Sequence, residues 1–310
     1  MTALLVLAGV GLLYAGGEVL VRSAVRLARA AGMSALTVGL TVVAFATSAP
    51  ELATTLVAGF GDAPGTALGN VVGSNIANLG LVLGAMALVR PLRSRRRSLR
   101  REVPFMIAAG ALLFPLLANG ALGRPEGVVL LAALGTYFAV LLVYRPAVPG
   151  DDGPDGEEAG RAGSPWVAFC GVGLGVALLV AGAQMLVEGA VGLARELGVT
   201  ERVIGLTLVA VGGSLPELAG SVVAAARRQG DLILGNLVGS NVFNATFVLG
   251  ITALAVPLEV DFAAFRADLL MMLGLSLLVL PFLATGRVLN RVEGLALLAA
   301  YAGYVAVLFL

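Results

Sequence analysis

Long apolar runs separated by short polar segments dominate the chain. Ten of these runs have about 20 residues, which is enough for an α-helix to cross the hydrocarbon core of a bilayer. The predicted spans are residues 3–22, 36–59, 65–89, 103–119, 125–144, 165–188, 203–226, 232–256, 266–285 and 290–309. The pattern predicts an all-α integral membrane protein with ten transmembrane helices.

Composition supports this class and excludes several functions. Hydrophobic residues make up 59% of the 310 residues and charged residues 13%, whereas about a quarter of the residues in a soluble domain are charged. The chain has no histidine and only one cysteine, Cys170. Catalysts or metal sites built on histidine, and an internal disulfide, are therefore excluded. With no paired nucleophile and base and no metal-thiolate motif, we expect neither an enzyme nor a bound cofactor.

The second half of the chain repeats the first. Residues 15–84 align with residues 181–250 without a gap, and 33 of the 70 positions are identical. We predict two five-helix repeats, 1–145 and 165–310, joined by a flexible acidic linker at 146–164 that is rich in Gly and Pro. Because five is an odd number, the repeats should have opposite orientations in the membrane, which is typical of secondary transporters.

An arginine-rich segment, residues 90–101, lies between the third and fourth predicted spans. The positive-inside rule places it in the cytoplasm of a cell-membrane protein. Alternation of ten spans then places the linker 146–164 in the cytoplasm and both termini outside. We interpret these arginines as a topology anchor beside anionic lipid of the bilayer, and not as a nucleic-acid site.

Two matching segments place a proline and a glutamate inside apolar runs: TSAPE at 47–51 and GSLPE at 213–217. Proline lacks the backbone N–H and clashes with the preceding turn, so helices 2 and 7 should be broken at Pro50 and Pro216. Broken backbone at membrane depth is tolerated where it lines a cavity or is buried in protein. A carboxylate within a span indicates a functional site, and the partner of Glu51 or Glu217 would be a cation or a proton.

Polar side chains with oxygen atoms accompany both glutamates. Ser74 and Asn78 are four residues apart and share a helix face, as do Ser240 and Asn244. The other oxygen donors are Thr47, Ser48, Asn75, Ser214, Asn241 and the backbone carbonyls near Ala44 and Thr47. Oxygen ligands without thiolate or imidazole suit Ca²⁺, Na⁺ or Mg²⁺. Such groups can instead bond helices together, but repetition of the whole arrangement favours a cation site.

The segments ATSAPE…GNVVGSNIAN and GGSLPE…GNLVGSNVFN resemble the alpha-1 and alpha-2 repeats of the sodium/calcium exchanger family, prokaryotic branch, within the cation/calcium antiporter superfamily. The resemblance implies a monomeric antiporter that exchanges Ca²⁺ for Na⁺ by alternating access at a midplane cluster of four cation sites. Spans 1 and 6 would slide to open one side at a time. The implied ligands are Glu51, Glu217, Thr47, Ser48, Ser74, Asn78, Ser214, Ser240, Asn244 and the carbonyls of Ala44, Ala210 and Gly213.

Two positions depart from the family pattern. Gly213 stands where the family usually has Thr, and Asn244 stands where some relatives have Asp. The site then holds two carboxylates, whose charge balances one Ca²⁺ or two Na⁺, so the counter-ion stays open. Ca²⁺/H⁺ exchange by the same glutamates is one alternative. A cation channel is an alternative of another class, although inverted repeats argue against it.

Two further features of spans 1 and 6 have a structural and a functional interpretation. Glu18 is followed four residues later by Arg22, its expected partner, and Gln184 replaces Glu18 in the second repeat. Residues 7–18 and 170–184 are rich in glycine. The glycines indicate either tight packing of helices or a smooth surface along which these spans slide.

Overall fold

The structure is a computed structural model that describes residues 2–93, 101–143, 164–198, 212–284 and 288–308. Within these ranges, eight helices are long and apolar enough to cross a membrane. Two shorter apolar helices, Val103–Leu117 and Leu215–Ala226, correspond to the fourth and seventh predicted spans. The chain is therefore a helical, multi-pass membrane protein. Most of the arginine-rich segment 90–101, nearly all of the linker 146–164 and Ala210 lie outside the described residues.

The α-helices are numbered along the chain. They are α1 (Thr2–Ala30), α2 (Ala35–Val38), α3 (Ala44–Thr47), α4 (Ala49–Phe60), α5 (Pro64–Ala77), α6 (Gly84–Val89), α7 (Val103–Leu117), α8 (Arg124–Val143), α9 (Pro165–Glu196), α10 (Leu215–Ala226), α11 (Gly230–Phe243), α12 (Leu249–Ala255), α13 (Phe262–Ala284) and α14 (Arg291–Leu308). Three π-helical turns continue α2 into α3, α5 into α6 and α11 into α12. They are Gly39–Val43, Asn78–Leu83 and Asn244–Val248.

The described residues include four two-residue strands that connect helices, and the apolar pattern did not predict them. Strand β1 (Leu92–Arg93) pairs antiparallel with β4 (Val288–Leu289), and β2 (Ala121–Leu122) pairs antiparallel with β3 (Leu258–Glu259). Backbone groups between spans need hydrogen-bond partners once a helix has ended. The ribbons supply those partners, and strands this short leave no trace in an apolar pattern.

Helices α1 and α9 continue beyond the apolar runs that predicted them. The first predicted span ended at residue 22, but α1 ends at Ala30, and α9 reaches Glu196 instead of residue 188. An apolar run marks the length in contact with lipid, whereas a backbone helix ends where its hydrogen bonds end. Both helices stop before a glycine with positive φ, Gly32 (φ 60°) or Gly198 (φ 76°), which is the common glycine termination of helices.

The chain forms two compact units, and each unit contains residues from both halves of the sequence. Unit 1 comprises Met1–Ala46 and Ala139–Gly235, and unit 2 comprises Thr47–Phe138 and Asn236–Leu310. The boundary between the units falls inside the second predicted span, between Ala46 and Thr47. The repeats 1–145 and 165–310 are therefore defined by sequence and do not coincide with the two compact units. Their inverted orientation stays a prediction.

Within unit 1, the glycines of α1 and α9 bring the two helices into backbone contact. A Cβ atom on Gly9 would lie 2.6 Å from the backbone nitrogen of Leu186, and one on Gly182 would lie 2.7 Å from that of Leu13. Real Cβ atoms do not approach other atoms this closely, so both positions require glycine. The packing interpretation of these glycines is therefore confirmed, because they join spans 1 and 6 to each other.

Glu18 has two arginine partners within unit 1. Its expected partner, Arg22, places Nε 3.1 Å from Glu18 Oε2. Arg227, at the C-terminal end of α10, also donates from Nε to both carboxylate oxygens at 3.2 and 3.0 Å, and its Nη2 contacts Oε2. Sequence spacing could identify only the partner on the same helix, since Arg227 is 209 residues away. Glu18 is thus neutralised by protein groups.

Candidate cation site

The helix that contains Pro50 is interrupted one residue before α4 begins. Ser48 has φ −82° and ψ −2°, outside the regular α-helix, and Pro50 then occupies the first turn of α4. Ser214 has nearly the same conformation, with φ −94° and ψ 3°, and Pro216 stands in the first turn of α10. Proline is well suited to a first helical turn, where its missing N–H would have no helical partner. The two breaks thus share one backbone geometry.

Each break puts a glutamate in the first turn of the helix that follows. Glu51 in α4 is 5% exposed and Glu217 in α10 is 1% exposed. The N-terminus of a helix carries a partial positive charge, which stabilises a nearby carboxylate. At the first break, the C-terminus of α3 carries a partial negative charge, which favours a cation. A broken helix therefore combines a buried anionic group with a backbone end that attracts cations.

Thr47, the last residue of α3, connects the first break to α11 within unit 2. Its Oγ1 donates to Oδ1 of Asn236 at 3.3 Å and lies 3.3 Å from Oγ of Ser240. Thr47 is 1% exposed and Ser240 is 0% exposed. Two hydroxyls predicted as cation ligands, one from each repeat, thus lie side by side in a buried region.

Asn70 of α5 forms two hydrogen bonds with α4. Its Nδ2 donates to the backbone oxygen of Glu51 at 3.3 Å and to Oγ1 of Thr55 at 2.9 Å. These bonds fix the backbone that carries the Glu51 side chain. Asn70 and Asn236 were not predicted as site residues, although both stand in the repeated GN dipeptide, and that identity between the repeats was the available signal.

The asparagines at equivalent positions of the two repeats have different surroundings. Asn78 donates from Nδ2 to Oδ1 of Asn241 at 3.3 Å. Asn244 is 0% exposed, and neither its Oδ1 nor its Nδ2 has a hydrogen-bond partner among the described residues. Ser48 Oγ likewise lacks a partner in the described part of the chain and is buried. A bound cation would satisfy buried oxygen atoms of this kind, so these residues fit a cation site.

Asn78 and Asn244 each begin a π-helical turn, Asn78–Leu83 and Asn244–Val248. A third π-turn, Gly39–Val43, comes immediately before Ala44. A π-turn inserts one extra residue into a helix and often lies at a functional site. Apolar periodicity gave no sign of these turns, because one added residue hardly changes the pattern.

The remaining predicted ligands lie as follows. Ala44 is fully buried and Ser74 is half-buried. Ser214 and Glu217 belong to unit 1, and Ser214 is 4% exposed. Gly213 lies in the second break, and a Cβ atom added there would have no atom of the described residues within 4 Å. Ala210 falls outside the described residues.

The donor set is dominated by hydroxyl, amide and carbonyl oxygens. No group of three or more Asp, Glu, His or Cys side chains that could hold a metal occurs among the described residues. Hard cations accept neutral oxygen ligands at 2.3–2.6 Å for Ca²⁺, whereas Zn²⁺ and Cu²⁺ favour nitrogen and sulfur. These donors therefore suit an alkali or alkaline-earth cation better than a transition metal.

Comparison with known proteins agrees with this chemistry. The family profile described as "Sodium/calcium exchanger protein" matches residues 1–143 and 167–310. The chain is 34% identical over 343 residues to the sodium/calcium exchanger MaX1 of Methanosarcina acetivorans, covering 99% of this chain and 98% of MaX1. It is 38% identical over 315 residues to CaxA of Alkalimonas amylolytica, which is designated as an antiporter, covering 100% of this chain and 99% of CaxA. Its fold matches that of the sodium-calcium exchanger NCX_Mj, soaked with zero Na⁺ and Ca²⁺, with a TM-score of 0.82 and 31% identity over 98% of both chains.

Proposed function

Because this chain belongs to the sodium/calcium exchanger family, we propose that it exchanges Ca²⁺ for Na⁺ across the cell membrane by alternating access. It is a cation/calcium antiporter and not an enzyme, and Ca²⁺ and Na⁺ are its substrates. The proposed site lies near the membrane midplane and comprises the residues predicted from the two repeated motifs. The finer statements, which concern the ions exchanged, the residues that bind them and the access mechanism, are the proposal.

The observation that carries this proposal is the pair of buried glutamates, Glu51 and Glu217, at the two matching helix breaks. A carboxylate at membrane depth is costly unless a charge or a proton compensates it. Two carboxylates compensate one Ca²⁺ or two Na⁺ fully. A third Na⁺ would leave the loaded site with one net positive charge, because Asn244 contributes no charge.

The same oxygens can serve both ions in turn. Ca²⁺ takes six to eight oxygen ligands in a flexible arrangement, which the hydroxyls of Thr47, Ser48 and Ser240 extend beyond the carboxylates. When one type of ion is bound, it occupies the oxygen ligands that the other type would need. Competition for a shared site, combined with access from one side at a time, couples the two fluxes.

Helices α1 and α9 are the candidates for the moving part. Their backbones touch through glycines such as Gly9 and Gly182, so we propose that they move as one body. The arginine-rich segment 90–101 and the linker 146–164 would lie in the cytoplasm, and both termini outside. A monomer contains both repeats and is the proposed functional form.

Proteoliposomes test the exchange directly. Vesicles loaded with Na⁺ should accumulate Ca²⁺ when external Na⁺ is replaced by an impermeant cation, and external Na⁺ should abolish the uptake. Vesicles without protein are the control for leak. Uptake that ignores the Na⁺ gradient would contradict the proposal, and a steady single-channel current would identify a channel instead.

Ca²⁺/H⁺ exchange is the second candidate, and Gly213 is the observation that favours it. This position has no side-chain hydroxyl to offer Na⁺, whereas the two glutamates could carry protons without further ligands. In Na⁺-free vesicles, a pH gradient alone should then drive Ca²⁺ uptake. Uptake that follows the Na⁺ gradient at equal pH on both sides would reject this candidate.

A further inference from the structure

Three buried residues of unit 2 form a directional chain that begins at a methionine outside the predicted ligand set. Nδ2 of Asn241 lies 3.6 Å from Sδ of Met106 in α7. Oδ1 of the same asparagine accepts a hydrogen bond from Nδ2 of Asn78 at 3.3 Å. Asn241 and Met106 are each 3% exposed and Asn78 is 1% exposed. The chain of contacts therefore runs from α7 to a predicted cation ligand without contact with water.

The chemistry of the three groups gives this chain a direction. A thioether sulfur has lone pairs and no proton, so only the NH₂ branch of Asn241 can face Met106. Oxygen and nitrogen diverge from one carbon atom in an amide, and Oδ1 of Asn241 is consequently turned toward Asn78. Asn78 must donate to this oxygen from its own NH₂ group, so the Oδ1 of Asn78 points away from Asn241.

We propose that Met106 is a positioning residue for the cation site. Acting through Asn241, it keeps the oxygen of the Asn78 amide, and not its NH₂ group, available to the transported cation. Without the sulfur, the amide of Asn241 can rotate by half a turn and present NH₂ to Asn78. Asn78 would then rotate as well, turning its oxygen toward Asn241 and its NH₂ group toward the cation. That NH₂ group repels Ca²⁺ and Na⁺. The inference rests on the proposed function, since that proposal makes Asn78 a ligand.

The repeat supplies a matched control. Met272 in α13 follows Met106 by the repeat offset of 166 residues, and its Sδ lies 3.6 Å from Nδ2 of Asn75. That NH₂ group also donates to the backbone oxygen of Asn241 at 3.2 Å. A backbone carbonyl can only accept, and no side-chain substitution removes it. The orientation of Asn75 is therefore secured twice, whereas Met106 Sδ is the acceptor that the described residues give to the NH₂ group of Asn241.

The test compares Met106→Leu with Met272→Leu in Na⁺-loaded proteoliposomes. Leucine keeps most of the volume and removes the sulfur acceptor. Met106→Leu should raise KM for Ca²⁺ about five- to tenfold, the equivalent of one lost hydrogen-bond preference, while Vmax falls less than twofold. Met272→Leu should change KM less than twofold. Equal changes in both variants would indicate packing alone, and no change in either would also overturn the inference.

A double-mutant cycle isolates the orientation effect. Aspartate at position 241 has no N–H group, so it offers Asn78 an acceptor in either orientation. In the Asn241→Asp background, Met106→Leu should change KM less than twofold. A five- to tenfold change that persists in this background would show that Met106 acts by another route.

Three further variants separate a failure of folding from a failure of the proposed function. If Met106→Leu does not reach the membrane, Met106→Ile and Met272→Ile replace the pair. Failure of both Met106 variants to insert, with normal Met272 variants, would make Met106 a folding residue and overturn the inference. Asn78→Ala should lose Ca²⁺ transport. Normal transport by Asn78→Ala would contradict the proposed site, whereas loss in Asn78→Ala beside a normal Met106→Leu would overturn the positioning role alone.

Discussion

At the first break of the apolar helices, Thr47 precedes Ser48 and bonds to Asn236 and Ser240 of α11. At the second break, Gly213 occupies the equivalent position and has no side chain. The backbone at Ser48 and Ser214 is nevertheless nearly the same, with ψ within a few degrees of zero at both. The glutamate that follows is buried in both cases. The breaks are thus alike in backbone and charge and different in their neutral side chains.

The asparagine positions show the same kind of difference. Asn78 is engaged with Asn241, while Asn244 is buried without a partner among the described residues. Duplicated charge with unequal neutral ligands suggests a division of roles. We propose that the carboxylates determine how much positive charge the site accepts, and that the hydroxyls and amides determine which cation fits. The predictions below separate these two contributions.

The largest effect is expected from removal of a carboxylate. Glu51→Gln and Glu217→Gln should each reduce Ca²⁺ uptake in proteoliposomes at least about 100-fold, because loss of one charge from a buried ion pair costs about 3–5 kcal/mol. The two variants should be equally inactive, since the charge is the part that both breaks share. Membrane insertion, measured by yield after solubilisation, should not change.

Glu18→Gln is the matched control for that experiment. Glu18 lies in an apolar helix as well, but Arg22 and Arg227 already neutralise it. Transport should therefore stay within about threefold of the parent, as expected for a partly exposed ion pair. Normal transport by either Glu51→Gln or Glu217→Gln would show that the proposed site is wrong.

A smaller effect, opposite in sign between the repeats, is expected for asparagine. Asn78→Leu leaves Oδ1 of Asn241 buried without its donor, which should lower the free energy of unfolding by about 1–3 kcal/mol. Asn244→Leu leaves no group of the described residues without its hydrogen-bond partner, so thermal stability without Ca²⁺ and Na⁺ should be equal to or higher than that of the parent.

Thermal unfolding of detergent-solubilised protein in choline buffer with a Ca²⁺ chelator measures this difference. Both variants should transport poorly, because each loses an amide oxygen that the proposal assigns to the cation. Equal destabilisation of the two variants would mean that the different surroundings of Asn78 and Asn244 have no energetic consequence.

The smallest effect is expected from the residues at the two break entrances. Thr47→Val should raise the Na⁺ concentration for half-maximal exchange about fivefold, the equivalent of one lost oxygen ligand at about 1 kcal/mol. Gly213→Thr should lower that concentration about twofold, because a hydroxyl is added and a Cβ atom there meets no atom of the described residues within 4 Å.

Thr47→Ser, which keeps the hydroxyl, is the control and should behave like the parent. If Thr47→Val and Thr47→Ser have equal effects, the hydroxyl is not the relevant group. If Gly213→Thr raises the Na⁺ concentration for half-maximal exchange, the missing hydroxyl at position 213 is not what limits Na⁺ binding.

Much of the fold could be predicted because membrane insertion depends on local properties. Eight predicted spans are long apolar helices, and the fourth is present as the shorter α7. The ends of α1 and α9 were predicted less well, since the predicted spans end at residues 22 and 188 while the helices continue to Ala30 and Glu196. The pairing of β1 with β4 could not be predicted, because it joins residues almost 200 positions apart.

The sequence predicted the residues of the candidate site but not the hydrogen bonds among them. Pro50, Glu51 and their copies were identified by chemistry that does not belong in an apolar helix. The contacts of Asn70 with Glu51, of Asn236 with Thr47 and of Met106 with Asn241 were not predicted. An asparagine or a methionine in a helix has no unusual cost until its neighbours are known. The π-turns at Asn78 and Asn244 were missed for the related reason that they depend on packing.

The sequence by itself determined the membrane class, the internal repeat and the two buried glutamates, since each follows from local hydropathy, identity or charge. The tertiary structure decided which hydrogen bonds those segments make. Amide groups are chemically symmetric enough to bond in either orientation, and only neighbours such as Met106 Sδ and the Asn241 backbone oxygen select one. Two repeats that share the same motifs therefore acquire different hydrogen-bond partners, because those partners come from distant parts of the chain.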